Sequence, residues 1–300
     1  MYPLLLSPIF KNYIWGGKKL SKIFGTDEKR IAEAWVLSCR DDGESVVQNS
    51  KYAGMPLSEV AQCNYNSFPV LVKLIDAEKN LSIQVHPNDE QAMKMGLSCG
   101  KTEMWYIIDC EPDAKILCGF KKDISRDEYI SLIKTGGLLS VMNEIFVKPG
   151  DFIFVPAGTV HAICGGIFLA EVQQNSNTTF RVYDYDRTDE NVQKRGLHID
   201  EAVSVSNLSA FKNTENKKGI LYECEYFSVC ELNIDNKLSI QKEQKSFHHL
   251  LIISGTASIE NEDGIVYAKK GSSILITSDN SDYTIKSTVK NPCHYLCTNF

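Results

Sequence analysis

Residues 81–87 alternate apolar and polar side chains with the two-residue period of a β-strand. The period puts Ser82, Gln84 and His86 on one face and Leu81, Ile83 and Val85 on the other. Pro87 ends the strand, because it has no N–H to give to a ladder. A second strand begins at Glu103, where Glu103, Trp105 and Ile107 share a face, so one carboxylate sits among apolar neighbours and asks for a cation or hydrogen-bond donors. Residues 69–75 and 152–155 are nearly continuous apolar strands, and the turn Pro156-Ala157-Gly158-Thr159 leads into a strand starting at Val160-His161. Residues 180–187 alternate again, with Arg181, Tyr183, Tyr185 and Arg187 on one face and Val182, Asp184 and Asp186 on the other. For Arg187 and the aspartates the pattern predicts surface salt bridges.

Helical signals are few. Ser125 with Glu128 three residues later spells a capping box, predicting a helix through Ile133 that stops near Gly136-Gly137. Short helices are expected at 56–61 and 89–95, and Trp15-Gly16-Gly17 reads as a turn pinned by an aromatic ring.

The last third repeats the earlier pattern in worn form. Residues 146–155 have a counterpart at 267–276, and residues 103–108 have one at 248–253. Counted from Gly150 and Gly271, His161 corresponds to Asp282, and no Gln-x-His stretch precedes His248. The second copy therefore keeps a scaffold without the polar cluster, and His248 and His249 are expected to be structural. Residues 188–218, rich in Asn, Ser, Lys and Glu, read as an exposed connector between the two units, 1–187 and 219–300.

Three hundred residues with 43% hydrophobic content can bury a substantial core, and a formal charge of -6 without long charge runs argues against nucleic acid or an anionic membrane as partner. The N-terminus lacks the basic lead and cleavage site of a signal peptide, and no stretch reaches the roughly 20 apolar residues of a membrane span. Ten cysteines without a CxxC pair, among them Cys110, Cys118, Cys164 and Cys230, read as reduced and mostly buried. Together these predict a cytoplasmic protein.

Gln84, His86, Glu103 and His161 all fall on strands or strand ends. Two imidazoles and a carboxylate, with a fourth oxygen from an amide or water, suit a divalent first-row metal, of which Zn²⁺ is the usual occupant. The same donor set can hold Fe(II) for oxygen chemistry, and a non-catalytic ligand sensor is a third reading.

Gln84-Val85-His86-Pro87, Lys101-Thr102-Glu103, the stretch 155–162 and the stretch 173–184 ending in Arg181-Val182-Tyr183-Asp184 closely resemble the type I mannose-6-phosphate isomerases of the short bacterial kind. Trp15-Gly16-Gly17 and residues 33–38 match as well, so the likeness runs in order along nearly the whole chain. The resemblance implies a mainly β protein of two cupin-type jelly-roll β-barrels with a few short helices. Residues 1–187 would be the metal-binding catalytic domain, and 219–300 a degenerate cupin without metal. It further implies one Zn²⁺ held by Gln84, His86, Glu103 and His161, with Arg181 as the active-site arginine and Lys101 as a candidate for proton transfer. The implied reaction interconverts mannose 6-phosphate and fructose 6-phosphate through a cis-enediol. One departure is Asn177, where short members commonly carry Asp.

Overall fold

The computed structural model describes residues 1–63, 67–188, 193–212, 222–241, 247–277, 282–287 and 292–299. Among these, strands dominate and pair antiparallel in four main sheets. In the first half a six-stranded sheet runs in the order Phe152–Val155, Glu103–Cys110, Ile167–Gln174, Val70–Ala77, Glu33–Leu37, Ile9–Lys11. It faces a five-stranded sheet ordered Met142–Phe146, Lys115–Phe120, His161–Ile163, Ile83–Val85, Phe180–Tyr183. Trp105, Ile107, Ile153 and Leu169 from the first sheet pack with Ile116, Cys118 and Ile163 from the second, forming the core between them.

The second half repeats the arrangement. Glu103–Cys110 lies between Phe152–Val155 and Ile167–Gln174, and His248–Ser254 lies between Ser273–Ile276 and Cys293–Asn299. The matched segments thus occupy matched places, and Gly150 and Gly271 both turn with positive φ, 91° and 86°. A seven-stranded sheet here packs against a four-stranded one through Leu250, Ile252, Ile259, Ile274 and Ile285.

The six- and seven-stranded sheets also meet back to back, where Val70, Val72, Met104, Ala170 and Val172 pack with Leu6, Val229, Leu251, Leu275 and Leu296. This explains the apolar runs: every residue of Val70–Ala77 and of Ile167–Gln174 is buried, because both faces of these strands are covered.

Leu4–Ser7 pairs with Ser273–Ile276 in the seven-stranded sheet, with Leu4 opposite Leu275. The expected exposed connector carries a helix, Ile199–Val205, whose Ala202, Val203 and Val205 are buried against Phe120, Tyr129, Val160 and Phe180. Ile199, Ala202 and Val203 have the i, i+3, i+4 spacing of a helix face, a signal hidden by the polar composition around them.

The helix Arg126–Thr135 forms where the cap predicts it and ends at Gly136 in the left-handed region, φ 72°. Ser125 Oγ accepts from the Glu128 N–H at 3.1 Å, but the Glu128 carboxylate pairs with Lys122 at 3.2 Å instead of returning to the cap. The reciprocal box closes on the helix Asp89–Lys94, between Asn88 and Gln91. No helix among the described residues is long and apolar enough to cross a membrane.

Candidate metal centre and cleft

Strand register assembles the site. In the five-stranded sheet Cys118, His161, Gln84 and Arg181 stand in one row, because His161 is opposite both Cys118 and Gln84, and Gln84 is opposite Arg181. A slip of one residue would turn each of these side chains to the other face. The facing sheet contributes Glu103, the first residue of its strand, and His86 follows the strand Ile83–Val85. His86, Glu103 and His161 converge with their ligand atoms within 4.8 Å of one another, and all three are buried. Among the described residues this is the group of three or more His, Cys, Asp or Glu side chains arranged to hold an ion.

The chemistry of these donors fits a divalent metal. His161 Nδ1 lies 2.8 Å from the Thr159 carbonyl, so it carries the proton and leaves the Nε2 lone pair facing Glu103 at 3.2 Å. Burial, and then the Lys101 charge, push His86 down to about 3, so its imidazole is neutral at pH 7. Burial pushes the Glu103 carboxyl up, but the charge of Lys101 beside it outweighs burial and holds the group well below the usual carboxylate range. Both Glu103 oxygens are buried without an aligned hydrogen bond, although Lys101 Nζ stands 3.1 Å from Oε2. Gln84 Nε2 is 3.5 Å from His161 Nε2, and rotation of the amide presents Oε1 there instead.

Lys101 is buried, with Nζ 3.2 Å from His86 Nε2. Lys101 and Gln84 also line a cleft of about 270 Å³, and so connect the buried cluster to the place where a small molecule can sit. Arg181 lines the same cleft. Its Nε donates to Ser82 Oγ at 3.2 Å and its Nη1 to the Gly196 carbonyl at 3.0 Å, which fixes the guanidinium from two sides. Segment 193–198 thus takes part in the site. Asn177 borders the cleft and donates to Asp42 Oδ2 at 2.8 Å, so a carboxylate lies within hydrogen-bond reach of this position.

Sequence reading passed over four charged residues of the cleft, Lys73, Glu33, Glu171 and Arg195. Lys73 Nζ is 3.0 Å from Glu171 Oε1 and 3.7 Å from Glu33 Oε2, and all three are buried or nearly so. Trp35 and Trp105 donate their indole N–H groups to Glu33 at 2.7 Å and Glu171 at 2.9 Å. Burial works against the Lys73 charge, but the two carboxylates more than compensate and raise its pKa. The available signal was a lone charge inside an apolar strand, at Lys73 and again at Glu171. Arg187 and Asp184 pair as expected, and Arg195 joins them on Asp184. Strand alternation stops earlier than predicted, at Tyr183, because Tyr185 and Asp186 turn with φ of 55° and 52°.

A larger cavity, about 610 Å³, lies between the two halves, but its lining contains no histidine or carboxylate. His249, buried, bonds Ser273 Oγ at 2.9 Å, and His248 Nδ1 is 2.9 Å from Tyr283 Oη, so these two histidines serve packing.

Two paired sheets repeated along the chain, with a His–Glu–His cluster inside the first pair, define a cupin-type protein. Residues 4–122 match the family described as phosphomannose isomerase type I, catalytic domain, and residues 217–291 match the mannose-6-phosphate isomerase cupin domain. The chain is 39% identical over 293 residues to mannose-6-phosphate isomerase ManA of Bacillus subtilis (strain 168), covering 91% of this chain and 92% of that protein. It is 36% identical to the mannose-6-phosphate isomerase of Streptococcus mutans, over 80% of this chain and 81% of that one. The crystal structure of the mannose 6-phosphate isomerase from Bacillus subtilis superposes with a TM-score of 0.89 at 35% identity, covering 100% of both chains. The chain belongs to the type I phosphomannose isomerase family.

Proposed function

We propose that this protein is a mannose-6-phosphate isomerase that works with one Zn²⁺ held by Gln84, His86, Glu103 and His161. The observation that carries the reading is the buried His86–Glu103–His161 cluster, joined through Gln84 and Lys101 to a cleft lined by Arg181 and Arg195. A phosphosugar is a small polyanion, and the guanidinium groups of Arg181 and Arg195 lining the cleft suit it. Relatives at 36–39% identity carry that activity in their names.

Bound at this cluster, the ion supplies Lewis-acid stabilisation of charge developing on sugar oxygens. The reaction moves one proton between C2 and C1 through a cis-enediol. Arg181, held by Ser82 and Gly196, provides positive charge that is already oriented when the enediol forms, so no reorganisation is needed at the moment of reaction. Lys101 is the candidate proton carrier. Its Nζ stands 3.1 Å from Glu103 Oε2 and 3.2 Å from His86 Nε2, and the residue lines the cleft where the sugar would sit. Lys73, Glu33 and Glu171 form a rigid polar wall against which sugar hydroxyls can be oriented.

The test is conversion of mannose 6-phosphate to fructose 6-phosphate by purified protein, before and after chelation and again with Zn²⁺ restored. Turnover should vanish on chelation and return with zinc. Folded protein containing one zinc per chain but lacking turnover would overturn the proposal.

A further inference from the structure

Cys39 and Cys63 stand apart from the candidate metal centre, with their Sγ atoms 3.4 Å apart. Both are free thiols, Cys39 buried and Cys63 half-buried. Cys39 belongs to the hairpin strand Cys39–Arg40, paired with Gly43–Glu44, while Cys63 follows the helix Leu57–Ala61 and its left-handed cap Gln62. Glu44 already links the two elements: its Oε1 accepts from the Ser58 N–H at 2.6 Å and lies 3.9 Å from Cys39 Sγ. Two sulfurs in van der Waals contact need only a small approach to reach the bonding distance of about 2.0 Å.

We propose that Cys39 and Cys63 are a reversible disulfide site that ties the hairpin bonded to cleft residue Asn177 to the helix Leu57–Ala61. The oxidant is a low-molecular-weight disulfide. The Cys63 thiolate, the more accessible of the two, attacks one of its sulfurs and expels the first thiolate, leaving a mixed disulfide on Cys63. Cys39 loses its proton, attacks Sγ of Cys63 and expels the second thiolate. Two protein thiols are oxidised by two electrons, and the reagent leaves as two thiols carrying the two protons. The coupling to the cleft runs through the hairpin. Arg40 Nη1 donates to the Asn175 carbonyl at 3.0 Å, and Asp42 accepts from Asn177, which borders the cleft.

The test uses the intact chain treated with oxidised glutathione, and it does not depend on isomerase activity. Unreduced peptide mapping should find residues 39 and 63 in one linked pair, with loss of about 2 Da that is recovered on adding a thiol reductant. Hydrogen exchange of the 38–45 amides should slow several-fold in the oxidised protein. Cys63→Ser should abolish the linked pair, but the wild-type map decides the question even if that variant misfolds. A map showing only glutathione adducts, or a bond between Cys230 and Cys297, which face each other on neighbouring strands, would overturn the site. Unchanged exchange at 38–45 with the bond formed would overturn its coupling to the cleft.

Discussion

Glu103 has no exposed surface, and the Lys101 charge 3.1 Å away offsets the burial of its carboxylate. Glu103→Gln keeps the shape and removes the anionic donor. We expect zinc content to fall from one per chain to below about a tenth after dialysis, consistent with the 10- to 100-fold affinity losses that follow damage around metal sites. Elemental analysis of the purified variant checks this, and full zinc content would remove Glu103 from the ligand set. Arg181 works differently, since it lines the cleft without joining the cluster. Arg181→Ala should keep its zinc while kcat/KM drops by about 100- to 1000-fold, the scale seen when a preorganised charge stabiliser is removed. Steady-state kinetics beside a metal assay separates the two roles.

At the scale of elements, side-chain caps mark the starts of the helices Asp89–Lys94 and Arg126–Thr135. Ser125 accepts the Glu128 N–H, and because Glu128 is occupied by Lys122 no reciprocal bond backs it up. Ser125→Ala should therefore cost about 1 kcal/mol, the usual value of a lost N-cap. The measurement is the urea midpoint with unchanged m-value, and activity should be unaltered because Tyr129 and Ile133 point into a core away from the cleft. Period-two alternation made the strands bearing Gln84 and Glu103 legible, and the cap made this helix legible, because both signals are local. The helix Ile199–Val205 was not, since its three buried residues sit in a polar segment and their partners, such as Phe120 and Val160, are distant in sequence.

For the whole molecule, the junction between the two halves is partly polar. Ser273 Oγ donates to the Val36 carbonyl across it and accepts from His249. Burial pushes His249 down to about 3, so the unfolded chain takes up a proton near 6.5 that the folded chain refuses. The stability from the neutral histidine is present in full above about pH 6.5 and is lost as pH falls toward 3, at up to about 1.4 kcal/mol per pH unit. His249→Leu should flatten the fall in denaturation midpoint between pH 6.5 and 4.5, and an unchanged slope would place the acid sensitivity elsewhere. Sequence by itself determined the strand-rich character, the internal repeat and the polar residues Gln84, His86, Glu103 and His161, because alternation and residue chemistry are properties of short segments. Only tertiary structure decided that these four meet in one place, since register between strands dozens of residues apart sets the row His161–Gln84–Arg181. It also decided that Leu4–Ser7 pairs in the seven-stranded sheet, that segment 193–198 holds Arg181, and that Lys73, Glu33 and Glu171 share one buried charge network. A lone charge in an apolar strand reveals that it must have a partner, and only the packed sheet supplies which one.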